Sequence, residues 1–274
     1  MQWIGGRRST NIEDRRGMRV GPMALGGGLG TVALLILGMI FGFDPRDVGI
    51  PSGSDSPTSL AETDSGDNDE RKEFVATVVG FTEDSWSEIF REAGREYRPP
   101  KLVLYTQAVE SACGFGQAAM GPFYCPNDQK VYLDLSFFQE LHDRFHAPGD
   151  FAQAYVIAHE IGHHVQHSLQ LLNSGQSNRA SVRTELQADC FAGVWANRTE
   201  RSQQAGARDF LDPGDIDEAL RAASMIGDDK LQMESRGYVV PESFTHGSAE
   251  QRMRWFRQGF QSGKVSACNT SGEN

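Results

Sequence analysis

No Cys-x-x-Cys pair occurs in the 274 residues, and there are only four cysteines. An all-cysteine structural zinc site is thereby excluded. No stripe of lysine and arginine interleaves with aromatics, and the formal net charge is −11. A nucleic-acid partner is therefore not expected. Internal repeats are absent. Long uncharged runs are nearly absent too. One stands out, residues 23–43, and no Ala-x-Ala-like processing site follows it. Histidine is scarce, with seven in the chain.

The uncharged run has 21 residues, and a membrane-spanning helix needs about 20. Five arginines against two acids precede it, and acids follow. That asymmetry predicts a single crossing of the inner membrane, with the N-terminus cytoplasmic and the rest of the chain periplasmic or otherwise extracytoplasmic. Gly26/Gly30 and Gly38/Gly42 have the small-xxx-small spacing that can pair such helices, a route to a homo-oligomer. Residues 52–70 hold six acids and no base. They read as a disordered, self-repelling tether, and much of the net charge resides there. The expected layout is therefore a cytoplasmic Arg-rich segment (1–22), a transmembrane helix (23–43), an acidic linker (44–70) and one soluble domain (71–274).

Residues 159–163 read His-Glu-Ile-Gly-His inside an apolar helical pattern. His159 and His163, at i and i+4, share one helix face, so both imidazoles can close on one Zn²⁺. Glu160, beside the first, is placed to take a proton from water on that metal. His164 and His167 lie off that line and read as a solvated face. A catalytic zinc keeps three protein ligands and one open position. The third is expected in Thr184-Glu-Leu-Gln-Ala-Asp, where Glu185 and Asp189 are again i and i+4. Leu186, Ala188, Phe191 and Trp195 make that helix largely buried, where unpaired carboxylates are costly. Glu185 then reads as a metal ligand. Asp189 reads as the acceptor for the outer N–H of a ligand histidine.

From residue 71 onward the pattern is α+β. Helices are expected at 83–97, 136–146, 215–226 and 248–261, the last capped by Ser248. Asp150 is expected to cap the motif helix after Pro148-Gly149. Lys101–Tyr105 alternates as a strand, and Phe123–Cys125 with Lys130–Asp134 reads as a hairpin. Either of these two strands is suited to pair with an extended substrate. His142 and His146 fit a solvated helix face or a place near the site. All four cysteines follow the apolar run, so two disulfides are expected in an exported domain. Three pairings are possible. Cys113–Cys125, closing a Gly-rich loop, with Cys190–Cys268, tying down the tail, is the expected one. Cys190 also fits a buried small apolar side chain.

His-Glu-x-x-His followed by Glu-x-x-x-Asp resembles the gluzincin arrangement. More closely, the chain resembles the bacterial membrane-anchored neutral zinc metallopeptidase family. The match runs through Trp3-Ile-Gly-Gly-Arg-Arg-Ser-Thr-Asn-Ile-Glu-Asp-Arg-Arg-Gly, Cys113-Gly-Phe-Gly, Gly121-Pro-Phe-Tyr-Cys-Pro and Val131-Tyr-Leu-Asp-Leu-Ser-Phe-Phe. It implies a zincin-like fold and a zinc site, but no particular substrate. Phe244-Thr-His-Gly-Ser-Ala-Glu-Gln-Arg resembles the late His-Pro-x-x-x-x-Arg segment of membrane gluzincins, with Gly247 in place of the proline. That likeness implies catalytic positions for His246 and Arg252 beside the metal. The expected activity is zinc-dependent hydrolysis of a protein or peptide. The alternative is a binding module that keeps the peptidase-like fold and its zinc. Glu160 argues for the enzyme, since a structural site needs no general base.

Overall fold

The computed structural model describes residues 1–18, 65–172, 177–206 and 209–273. The apolar run 23–43 and residues 44–64 of the expected linker lie outside them. Among the described residues no helix is long and apolar enough to cross a membrane.

The elements follow in chain order. β1 is Ile12–Asp14, α1 Ser65–Glu92, β2 Lys101–Tyr105, β3 Ala108–Ser111, β4 Gly114–Gln117, β5 Phe123–Cys125 and β6 Lys130–Asp134. The helices α2 (Ser136–Asp143), α3 (Asp150–Ser168), α4 (Asn178–Ala205), α5 (Asp215–Met225), α6 (Asp228–Arg236) and α7 (Ala249–Ser262) complete it. This is a mixed α+β fold with one four-stranded sheet of order β1-β2-β6-β5. β1, β2 and β6 run parallel, and β5 is antiparallel to β6 at the edge. A parallel sheet must be covered on both faces, and alternation along β2 achieves it. Leu102 and Leu104 face the helical core. Val103 and Tyr105 pack with Val109 and Tyr132 under the β3–β4 hairpin.

Several expectations change. Residues 1–18 belong to the fold instead of forming a separate segment, because β1 hydrogen-bonds to β2. Residues 65–70, assigned to the linker, begin α1. That helix extends forward because Phe74, Val75, Val78, Val79 and Phe81 supply a buried face. Asp150 is not the cap of α3. Gly149 holds that position without a side-chain bond, and the Asp150 carboxylate accepts from the Met1 ammonium at 2.7 Å. Ser248 does cap α7, in a reciprocal capping box with Gln251. The hairpin β3–β4 and the helix α6 were not expected from the sequence.

α3 runs through the centre, packed by α1, α4 and α5. α4 and α7 approach most closely, and two glycines permit it. A Cβ on Gly193 would lie 2.1 Å from the Phe256 carbonyl oxygen, and one on Gly259 would lie 1.9 Å from the Cys190 carbonyl oxygen. Cys190–Cys268 anchors the tail beside this contact, and Cys113–Cys125 joins the hairpin to β5. Gly259→Ala is expected to lower stability by about 1–3 kcal/mol, since a backbone carbonyl must move to admit the methyl. Gly272→Ala, with nothing within 4 Å of the added carbon, should stay within about 0.5 kcal/mol. Urea unfolding of both variants checks the contrast.

Candidate metal centre

α3 presents His159 and His163 on one face, with the ring centroids 4.9 Å apart. α4 lies across that face and brings Glu185 to both. His159 Nε2 is 3.1 Å from Glu185 Oε2, and His163 Nε2 is 3.5 Å from Glu185 Oε1. The three donor atoms lie within 4.8 Å of one another. Two imidazoles and one carboxylate form the borderline N/O donor set that suits zinc. The groups behind them fix which nitrogens face the metal.

His159 Nδ1 donates to Asp189 Oδ1 at 2.8 Å, leaving Nε2 for the metal. His163 Nδ1 donates to Gln166 Oε1 at 2.9 Å, with the same consequence. Gln166 is held in turn by the Thr184 carbonyl and by Gln187. Asp189 is fully buried and also accepts from Tyr155 Oη at 2.6 Å. Arg252 closes on it as a fork, Nε to Oδ2 at 2.8 Å and Nη2 to Oδ1 at 2.9 Å. A remaining guanidinium nitrogen donates to the Ile226 carbonyl. Arg252 therefore braces Asp189 behind the ligand histidine, and its charge is spent there. Arg252 also lines the cleft that holds the ligand groups, with Asp189 as its bonded partner there.

The charges are strongly coupled. Burial works against a proton on His159, but Asp189 and Glu185 outweigh it and push the imidazole up to about 10. Burial likewise opposes the charge on His163, and Glu185 reverses the balance, raising it. Burial would raise Asp189, yet Arg252 and His159 hold it at about 2. Glu160 is 9% exposed, and its burial raises it despite the nearby histidines. A raised carboxylate is what a general base working near neutral pH requires.

His246 joins the same cleft as His159, Glu160, His163 and Glu185. Its Nδ1 lies 3.2 Å from Asp228 Oδ1 and 3.0 Å from Thr245 Oγ1. Asp228, 1% exposed, accepts the backbone N–H groups of Thr245, His246 and Gly247 through Oδ2. The turn that carries His246 is thus wrapped around one carboxylate. Burial alone would lower the His246 pKa, and the bond to Asp228 with the field of Glu185 raises it.

His164 departs from the solvated face expected for it. It is 3% exposed, donates from Nε2 to the Arg98 carbonyl at 2.8 Å, and packs edge-on to Tyr97 and Tyr124. Burial lowers its pKa to about 4. The Tyr124 hydroxyl lies 3.2 Å from Nδ1 of both His164 and His167, which ties β5 to the metal helix. His142 is exposed on Asp143, and neither it nor His146 lines the cleft. Gln166, Tyr155 and Asp228 are new to the site. The first two carry a signal in retrospect, at i+3 from His163 and i−4 from His159. Asp228 carries none beyond standing at a helix start.

Zinc and protons compete for the two ligand imidazoles, both held protonated above their ordinary range. Affinity for zinc is therefore expected to rise from pH 6 to pH 8, with net proton release near neutrality. Calorimetry in buffers of different ionisation enthalpy measures that release, and buffer-independent heats would refute it. Asp189→Asn is expected to weaken zinc about 10–100-fold. Arg252→Ala should do the same and also destabilise the fold, by about 3–5 kcal/mol, since it strands a buried carboxylate.

The family described as "Putative neutral zinc metallopeptidase" matches residues 1–271. The chain is 45% identical over 293 aligned residues to "Uncharacterized protein YpfJ" of Escherichia coli (strain K12), covering all of both chains. It is 41% identical over 207 residues to "Uncharacterized protein Rv2575" of Mycobacterium tuberculosis, covering 72% of this chain and 71% of that one. No solved structure matches. With the His-Glu-x-x-His helix, the Glu185 approach and a match across almost its whole length, this chain belongs to the neutral zinc metallopeptidase family so described.

Proposed function

We propose that the protein is a zinc-dependent peptidase that hydrolyses peptide bonds in protein or peptide substrates on the outer side of the membrane. The observation that carries this reading is Glu160. A buried carboxylate raised above its ordinary range lines the same cleft, of about 290 Å³, as the three ligand groups. A purely structural zinc site has no use for such a group or for an open cleft.

A zinc bound by His159, His163 and Glu185 would supply Lewis acidity and lower the pKa of a water towards about 7. The protein's own groups do the rest. Asp189 and Gln166 hold the two imidazoles with Nε2 forward. Glu160 accepts a proton on its carboxylate and passes it to the leaving amine. His246, with Nδ1 engaged by Asp228, keeps Nε2 as a donor for the negative charge that develops on the carbonyl oxygen. β5 is the edge strand, and Phe123 and Tyr124 line the cleft, so an extended substrate can add to it by backbone pairing. β6 is internal and has no free edge to offer. Met120, Val156, Phe137, Phe145, Ile226 and Leu231 make much of the cleft lining apolar, which favours a large apolar side chain beside the cleaved bond. The two disulfides support an oxidising compartment for the domain.

Glu160→Gln is expected to keep the metal and reduce turnover about 10²–10⁴-fold. His246→Ala is expected to keep the metal and lower kcat about 10²–10³-fold, the scale for one lost oxyanion donor. The deciding experiment compares new protein N-termini in the exported proteome of cells carrying the parent chain or Glu160→Gln. Identical sets would favour a binding module that retains its zinc.

A further inference from the structure

One face of α2 forms part of the cleft. Phe137, Glu140 and Arg144 all line it, and positions i, i+3 and i+7 fall on one side of a helix. Arg144 follows the last residue of α2 and keeps its helical backbone, with φ −94° and ψ −46°. A carboxylate is out of keeping with the company around it. Phe137 and Phe145, on either side of Glu140 in the chain, are buried in the core with ring centroids 6.3 Å apart.

Glu140 is half-buried, and among the described residues its carboxylate has no hydrogen-bond or ion-pair partner. The other charged groups of the cleft are engaged. Arg252 is held by Asp189, His246 by Asp228, and Glu185 by the two ligand imidazoles. Glu160 sits in the field of His163 and His159. Arg144 acts on Glu140 through space, but its Nε pairs with Glu234 Oε1 at 3.5 Å and its guanidinium stands 5.1 Å over the Phe145 ring. Burial pushes the Glu140 carboxyl up, Arg144 pulls it down and Asp134 pushes it up again. Asp134, Glu140 and Glu234 thus set three carboxylates against one guanidinium. The last turn of α2 adds the partial negative charge of its carbonyls.

This corner of the cleft is short of positive charge. A lysine or arginine side chain supplies it and also suits the lining. Its methylene stem packs on apolar surface while its head stays polar, and its cation is attracted by an aromatic face. A neutral apolar side chain filling the cleft would leave the Glu140 carboxylate desolvated without a partner, and an acidic one would add a like charge. We propose that Glu140 sets the specificity of the cleft, and that the substrates are peptides carrying a lysine or arginine whose stem lies along Phe137 and whose head group pairs with Glu140. This rests on the peptidase reading above and narrows its substrate class. The apolar lining receives the stem and Glu140 the charge.

The test uses the zinc-loaded full chain and four labelled peptide libraries, randomised except for a central Lys, Arg, Leu or Glu. Cleavage is followed at low substrate concentration, where the rate reports kcat/KM. Binding is ranked separately by fluorescence polarisation on Glu160→Gln, alone and combined with each change at Glu140. The lysine and arginine libraries are expected to be cut and bound about 10-fold or more better than the leucine library, the scale of one hydrogen bond to a charged group. Glu140→Gln is expected to erase most of that ratio. Glu140→Lys is expected to invert it in favour of the glutamate library, which a merely structural role for Glu140 would not do. Zinc content and the urea midpoint check that both variants fold. Basic libraries that bind best but are cut by no form of the protein would sink the peptidase reading and leave the Glu140 pairing in place. Equal binding of all four libraries, binding of none, or a preference that Glu140→Lys does not move would overturn the proposal.

Discussion

The buried ion pair between Asp189 and Arg252 is the contact on which the metal site depends. It joins α4 to α7, and through Tyr155 and His159 it joins both to α3. Two full charges out of water are costly unless every lone pair finds a donor. Here the carboxylate has four: two from the guanidinium, one phenol and one imidazole. The pair thereby sets the tautomer of His159 and the angle of its ring, and with them the direction of the nitrogen that would meet a metal.

The helix packing serves that contact. The glycines at 193 and 259 let α4 and α7 approach until backbone meets backbone. A longer separation would pull the Arg252 fork off Asp189. On the other side of the cleft, Asp228 gathers three backbone amides and the His246 ring into one turn. Tyr124, touching His164 and His167, holds the edge strand against the metal helix. Each of these walls of the cleft is fixed by a polar group held within the fold.

The N-terminal arm changes how the whole chain is organised. A segment that reads as basic and separate proves to be the fourth strand of the sheet, its arginines matched by acids of α1 and of its own strand. The residues matched by the family, 1–271, agree with a unit that includes the arm.

His159, Glu160 and His163 were legible in the sequence because a helix converts i and i+4 spacing into a shared face, whatever surrounds it. Glu185 and Asp189 were legible for the same reason, helped by the apolar residues between them. The Ser248 cap was legible because it is decided within four residues of chain. What tertiary structure alone decided has long separations. Arg252 reaches Asp189 from 63 residues away, so its sequence position cannot tell a bracing cation from a catalytic one. β1 is three residues long and finds its partner some 90 residues later, too short to show a period and too distant for a turn signal. His164 looked solvated because helical spacing gives a face but not what covers it, and the cover comes from Tyr97, Tyr124 and the Arg98 carbonyl. Local geometry is written in spacing; which charges are paired, and with whom, is settled only when burial makes leaving them unpaired too costly.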